Sequence, residues 1–393
     1  MKKTILIVLD GLGDEKIPAF ENKTPLQKAS TPTLDKWAKE GKTGSLLPAF
    51  EGMLPTSEEG HFSLFGYNSQ EYGLDRGITT ASDAGLEIKE GDIAIRGNFA
   101  TVKNGEVVDR RVIPKNGRKL TKELDGLEID GIKISVGLAK EHRLGIVLKG
   151  KGISAKISDS DPHYVEGEEG LRKVEPEAKT KEAQFTADVL NKFIEKAHNI
   201  LSEHPDNDGL KNPANYIVTR GASEVPDLPS FEEKYGKKAA CIAGDDLYKQ
   251  IPKLIGMDIL EVKGATGLPD TNLEGKFQEA REAILSGYDF VFVHVKAADL
   301  FAVDGDFWGK MDFLEKVDEN LKVLDEFTGI LIITSDHSTC SISRNRCSRD
   351  IPLLIKGMGS DKSEYFSEKE CERGSLGKID QRKLLARDIF KNN

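Results

Sequence analysis

Three apolar runs end in side chains that could do chemistry. "GILIITSDHSTC" carries Gly329 to Thr334 into Ser335, Asp336 and His337, "YDFVFVHVKAADLFAVDGDF" reaches Asp299, Asp304 and Asp306, and "TILIVLDGLGD" stops at Asp10. Carboxylate oxygen and imidazole nitrogen are the donors that hard or borderline divalent cations take. For Asp10, Asp336 or His337 alone a turn or helix cap is the competing role; for the three together, metal binding is the expectation. Ser57, in "GMLPTSEEGHFSLFGY", follows a Pro-Thr turn and precedes an apparent helix start. A serine there is a standard N-cap, and a serine beside a bound metal is a nucleophile. Both roles can hold together, because a helix N-terminus also offers backbone N–H groups to phosphoryl oxygens.

The elements that must position these residues are strands and helices in alternation. After "TILIVLD" comes "STPTLDKWAKEG", a helix with Thr31 as N-cap, Pro32 in its first turn and Gly41 at its end. The last third returns to the pattern with "AACIAG", "MDILEVKG", "FVFVHVK", "GILIITSD" and "IPLLIKG", and Leu314, Val317, Leu321 and Leu324 mark an amphipathic helix. Such near-continuous apolar strands predict an α/β fold, a mainly parallel sheet with helices on both faces and ligands at the carboxyl ends of its strands. Asp10, Asp299, Asp336 and His337 all follow strands. Between Tyr67 and Ile217 the texture changes to short β-like runs, "DIAIRGNFATV", "VVDRRVI" and "RLGIVLKG". They are followed by a long helix with Phe185, Val189, Phe193 and Ala197 on one face. The expected organisation is one α/β domain from residues 1–66 and 226–393, with 67–225 inserted as a smaller α+β domain.

The chain has 393 residues, enough for two or three domains, and 66 acidic against 56 basic residues give a net charge of -10. That balance argues against nucleic acid or an anionic membrane as the main partner, and allows a local basic pocket for a small anion. The first apolar run is too short for a signal segment, and no other is long enough to cross a bilayer. Cys241, Cys340, Cys347 and Cys371 lack the spacing of a disulfide framework or zinc ribbon, so a reducing cytoplasm is expected.

The order and spacing of "VLDGLGD", "KTPLQKASTPTLDKWAKEG", "GDIAIRGNFATV", "VVDRR", "ISDSDPH", "NYIVTRGA", "KKAACIAG", "VKGATG", "HVKAAD", "DGDFWGK", "SDHST" and "GSLGKI" extend nearly end to end. In them the chain resembles the archaeal-type, cofactor-independent phosphoglycerate mutases of the alkaline phosphatase superfamily. The resemblance implies an alkaline-phosphatase-like domain with a metal pair and a serine, and an inserted domain that clamps phosphoglycerate. It implies interconversion of 3-phosphoglycerate and 2-phosphoglycerate, a step of glycolysis and gluconeogenesis, through a phosphoserine. The cofactor would be a divalent metal, manganese, with no 2,3-bisphosphoglycerate.

Matched position by position, Asp10, Ser57, Asp336 and His337 resemble the ligands of the first metal. The second set departs from the pattern: Asp299 remains, but Val303 and Arg346 stand where the family has histidines, and Glu58 replaces an aspartate. The resemblance therefore implies one metal held firmly and a second in doubt. Sulfatases of the same superfamily work with one metal and basic side chains in the other's place. Arg346 either supplies such a cation or faces solvent in "SISRNRCSRD", and Cys340 and Cys347 are either replacement ligands or ordinary cysteines. Arg110, Arg111, Arg143, His163 and Arg220, with Lys238 from the main domain, match places where the family gathers positive charge for its substrate, and Asp109 and Asp161 could orient them. The competing readings are a catalytically impaired member that binds a phosphometabolite or regulates, and a phosphatase or phosphotransferase with another small substrate. The oligomeric state is left open.

Overall fold

The structure, a computed structural model, describes residues 2–47, 57–68, 71–72, 76–161, 170–245 and 247–390, without the side chains of Ser57, Glu58, Arg76, Leu247, Arg387 and Asp388. The chain forms two compact units, Met1–Asn68 with Pro229–Asn393, and Ser69–Leu228.

In the first unit an eight-stranded sheet runs in the order Asp258–Ile259, Ala239–Ile242, Phe290–Val295, Thr4–Leu9, Ile330–Thr334, Ile351–Lys356, Lys42–Leu47, Lys378–Asp380. The strands from Asp258–Ile259 to Ile330–Thr334 are parallel. Ile351–Lys356 is antiparallel to both its neighbours, and Lys378–Asp380 is parallel to Lys42–Leu47. Thr4–Leu9, Phe290–Val295 and Ile330–Thr334 are buried at every position, as strands covered on both faces must be. Leu9 pairs with Val295 and Val8 with Thr334, so these strands end together at one edge.

The Pro32–Glu40 helix forms where expected and ends at Gly41, but the Thr31 side chain makes no cap hydrogen bond. The N–H groups of Thr33 and Leu34 donate instead to the buried Asp318 carboxylate, at 3.0 and 2.8 Å. A carboxylate from another helix satisfies the orphan donors better than a hydroxyl, and it ties the two helices together. Asp318 lies on the Phe307–Leu321 helix, whose buried face includes Leu314, Val317 and Leu321, and Leu324 is buried in the short turn after it.

The second unit is built on a six-stranded sheet in which Ile93–Lys103 pairs antiparallel with Glu106–Asp109, Arg143–Lys149 and Tyr216–Glu224. The Lys181–Ser202 helix, capped by Thr180, buries Val189, Phe193 and Ala197 in its core, with Phe185 partly buried.

Candidate functional site

The aligned strand ends of the first unit bring Asp10, Asp299, Asp336 and His337 together. Asp10 directly follows its strand, and its N–H donates to Val295 O at 2.9 Å. His337 Nε2 lies 3.2 Å from Asp10 Oδ1 and 3.3 Å from Asp336 Oδ2. Asp299, in the first turn of the Ala297–Asp304 helix, joins through Thr339, whose hydroxyl donates to Asp299 Oδ1 at 2.7 Å. That hydroxyl has one proton, so it accepts from His337 Nδ1 at 3.1 Å and leaves the Nε2 lone pair directed at the acids. Gly11 makes the close approach possible: its φ is +69°, and a Cβ there would sit 2.8 Å from Thr339 Oγ1 and 2.9 Å from Asp299 Cα.

These donors fit a cation. Asp10 Oδ1, Asp336 Oδ2 and His337 Nε2 are buried, convergent and without hydrogen-bond partners among the described residues. Donor atoms of Asp10, Asp299 and His337 also lie within 4.8 Å of one another. Burial and the neighbouring Asp10 push the Asp336 carboxyl up to about 7. Burial works the same way on Asp10, but Lys296, His294 and His337 outweigh it and hold that carboxyl well below the usual range. Two buried carboxylates around one imidazole are stable together in charged form when positive charge lies between them.

Positive charge is also built into the rim. Lys296 Nζ lies 3.4 Å from Asp10 Oδ2 and 3.9 Å from Asp299 Oδ2. Burial opposes its charge, yet Asp10, Asp299, Asp245 and Asp336 raise its pKa. Arg346 is half-buried rather than solvent-facing. Burial disfavours its charge too, but Asp336, Asp10 and Asp299 outweigh the penalty. Val303, by contrast, is 45% exposed.

Sequence reasoning missed Lys296, Tyr248, His294 and His61. Tyr248 donates to Asp10 Oδ2 at 2.8 Å, accepts from Lys296 Nζ at 2.8 Å, and stacks on the His294 ring at 3.6 Å. His294 Nε2 is 3.6 Å from Asp10 Oδ2, and burial holds its pKa down to about 3. His61 Nδ1 is 3.6 Å from Asp336 Oδ2. His61 belongs to the Ser57–Leu64 helix, which approaches the cluster closely because residue 60 is glycine: a Cβ there would meet Asp336 Cβ and O at 3.1 Å. Gln381 Nε2 joins the two segments, donating to Gly60 O at 3.2 Å and Asp336 O at 3.1 Å. The Ser57 side chain lies outside the described residues. His294 and Lys296 did carry a signal, since His294 is the next-to-last residue of a buried strand and Lys296 directly follows it.

One expectation is corrected. Cys340 and Cys347 are neither free ligands nor separate cysteines but a disulfide, while Cys241 and Cys371 are free and buried. Lys238 is not brought to the cluster: it precedes the Ala239–Ile242 strand, at the opposite sheet edge, with Nζ over the Tyr288 ring at 4.5 Å. Asp306 caps the Phe307–Leu321 helix through Gly309 N–H at 2.8 Å.

In the second unit, cross-strand pairs place Arg96 opposite Arg220 and Asn98 opposite Arg143. Like charges directly opposite destabilise a sheet unless negative charge faces them. Asp161 supplies part of it, 2.7 Å from Arg110 Nη2 and 4.0 Å from Arg220 Nη1. His142 lies in the same basic surroundings; burial, then Arg143 and Arg111, lower its pKa. Arg111 itself is exposed, its N–H bonded to Asp109 at 3.0 Å. His163 lies outside the described residues.

Known proteins match this arrangement over nearly the whole chain. The metalloenzyme superfamily pattern matches residues 2–387. The chain is 42% identical over 390 residues to 2,3-bisphosphoglycerate-independent phosphoglycerate mutase 1 of Methanocaldococcus jannaschii, covering 95% of this chain and 93% of that one. It is 38% identical to the 2,3-bisphosphoglycerate-independent phosphoglycerate mutase of Methanosphaera stadtmanae, covering 96% and 95%. The solved cofactor-independent phosphoglycerate mutase of Thermoplasma acidophilum superimposes with a TM-score of 0.80 at 32% identity, covering 100% of this chain and 99% of that one. The chain belongs to the 2,3-bisphosphoglycerate-independent phosphoglycerate mutases, within the metalloenzyme superfamily.

Proposed function

We propose that this chain interconverts 3-phosphoglycerate and 2-phosphoglycerate through a phosphoserine at Ser57, with one divalent ion, manganese, held by Asp10, Asp336, His337 and the Ser57 hydroxyl. The observation that carries the reading is the convergence of three buried donor atoms, without hydrogen-bond partners among the described residues, at the edge where Lys296 lies 3.4 Å from Asp10. A divalent ion bound there lowers the pKa of a hydroxyl ligand and draws in phosphoryl oxygens.

The protein's own groups do the rest. The Ser57 hydroxyl gives up its proton as its oxygen attacks phosphorus, the bond to the 3-oxygen of glycerate breaks, and that oxygen takes up a proton in turn, so none is gained or lost. After glycerate turns, its 2-hydroxyl gives up its proton and attacks the phosphoserine, the bond from phosphorus to the Ser57 oxygen breaks, and that oxygen takes a proton back. N–H groups at the start of the Ser57–Leu64 helix, with Lys296 and Arg346, hold the equatorial oxygens. Charge supports one ion rather than two: three carboxylates, Asp10, Asp299 and Asp336, face two fixed cations, Lys296 and Arg346. That group alone sums to -1; one divalent ion makes it +1, which the charge of a transferred phosphoryl group offsets, whereas a second ion would make it +3 and leave buried positive charge in excess. The face bearing Arg96, Arg143 and Arg220, together with Arg110, binds substrate carboxylate and phosphate. Among the described residues no helix is long and apolar enough to cross a membrane, and a cytoplasmic enzyme accords with this substrate.

An enolase-coupled assay from 3-phosphoglycerate tests the reading. Activity lost on chelation should return at one manganese ion per chain; restoration only at two ions per chain would contradict it.

A further inference from the structure

Strands Ser338–Cys340 and Asn345–Cys347 form a hairpin in which Thr339 faces Arg346 and Ser338 faces Cys347. Cross-strand partners share a face, and successive residues alternate between faces. Arg346 therefore lies on the side of Thr339, whose hydroxyl bridges Asp299 and His337. Cys340 and Cys347 lie on the other side, joined as a disulfide. Strands of three residues do not hold a hairpin by themselves. Its turn is fastened from outside, by Ser341 N–H and Oγ–H on Asp14 and by the N–H groups of Ile342 and Ser343 on Glu15. The disulfide crosses the ladder diagonally, from Cys340 at the turn end to Cys347 at the open end, next to Arg346.

We propose that the Cys340–Cys347 disulfide is a positioning element of the phosphoryl-transfer site, holding the hairpin in the register that turns Arg346 toward the carboxylates, so that a dithiol reductant switches this cation out of the site. The inference rests on the reading of Arg346 given above. In the step, one thiolate of the dithiol attacks a cystine sulfur, its second thiol resolves the mixed disulfide, and two electrons and two protons pass to Cys340 and Cys347 while the dithiol becomes a disulfide. Cys347 is the half-buried member and gives access. The free cysteines do not compete: both are buried, and burial pushes the Cys371 thiol up to about 12 and the Cys241 thiol higher still.

The test compares oxidised and dithiothreitol-reduced wild type, the Cys340→Ser/Cys347→Ser double variant and Arg346→Gln. The readouts are kcat/KM for 3-phosphoglycerate and manganese bound per chain at fixed free manganese. Reduction and the double substitution should each lower kcat/KM by about tenfold to a hundredfold. Manganese stoichiometry should rise above one as the fixed cation leaves. Arg346→Gln should show both changes while oxidised and respond no further to reduction. Equal loss on reduction in wild type and Arg346→Gln would make the disulfide merely structural and overturn the proposal. So would an impaired Arg346→Gln beside an unchanged reduced wild type, which spares the reading of Arg346. An Arg346→Gln protein matching wild type in both readouts would overturn that reading and the disulfide's role with it.

Discussion

Tyr248→Phe removes one oxygen atom from the site and leaves the packing intact, because the ring that stacks on His294 remains. Among the described residues the lost hydroxyl is the closest hydrogen-bond donor to Asp10 Oδ2, at 2.8 Å, against 3.4 Å for Lys296 Nζ. With Oδ2 so held, Oδ1 is fixed 3.2 Å from His337 Nε2, where a metal would take it. Hydrogen bonds to charged groups contribute about 1.5–3 kcal/mol, and about 1.4 kcal/mol is a factor of ten. Manganese affinity should therefore fall roughly tenfold to a hundredfold, the scale found when a partner that orients a metal ligand is removed. Calorimetric titration of manganese into the metal-free variant measures this, with near-ultraviolet circular dichroism as a check on packing. Affinity within about twofold of wild type, with packing unchanged, would refute the idea that Tyr248 orients Asp10.

In the second unit, Asp161→Asn leaves Arg110 and Arg220 facing each other without their shared carboxylate and should cost about 3–5 kcal/mol. Inorganic phosphate should recover part of that loss, and thermal shifts no larger than those of wild type in phosphate would count against an anion site there. Gly60→Ala presses a methyl group to 3.1 Å from Asp336 and should destabilise by about 1–3 kcal/mol while weakening manganese binding; a variant as stable as wild type would show that the helix can give way. Burial holds the Lys276 ammonium down to about 8, from an ordinary 10.5, while its Nζ donates to His294 O at 3.0 Å. A lysine whose folded pKa is depressed penalises the native state fully below that value and progressively less as pH rises toward the unfolded one. Wild type should therefore gain stability relative to Lys276→Met between about pH 8 and 10.5; urea-unfolding curves that stay parallel across the window would contradict the assignment.

The sheet was legible because its strands are apolar without interruption, a pattern that only burial on both faces explains, and residues placed just after such strands must collect at one edge. By the same rule Lys238, which precedes its strand, lies at the far edge, whereas Lys296 follows its strand and meets Asp10. Tyr248 and His61 gave no comparable sign, since each reaches the acids from a helix whose approach depends on tertiary packing. Thr31 failed as a cap for the same reason, a distant Asp318 having taken the N–H groups. The disulfide was hidden because a spacing of seven residues says nothing until the hairpin register puts Cys347 opposite Ser338, beside Cys340.

Phosphorus NMR of 3-phosphoglycerate incubated with the manganese-loaded protein, with Ser57→Ala alongside, tests the central claim most directly. The account predicts 2-phosphoglycerate with the wild-type chain and none with Ser57→Ala. Free phosphate in place of 2-phosphoglycerate, an unchanged spectrum with the wild-type chain, or 2-phosphoglycerate formed without Ser57 would contradict it.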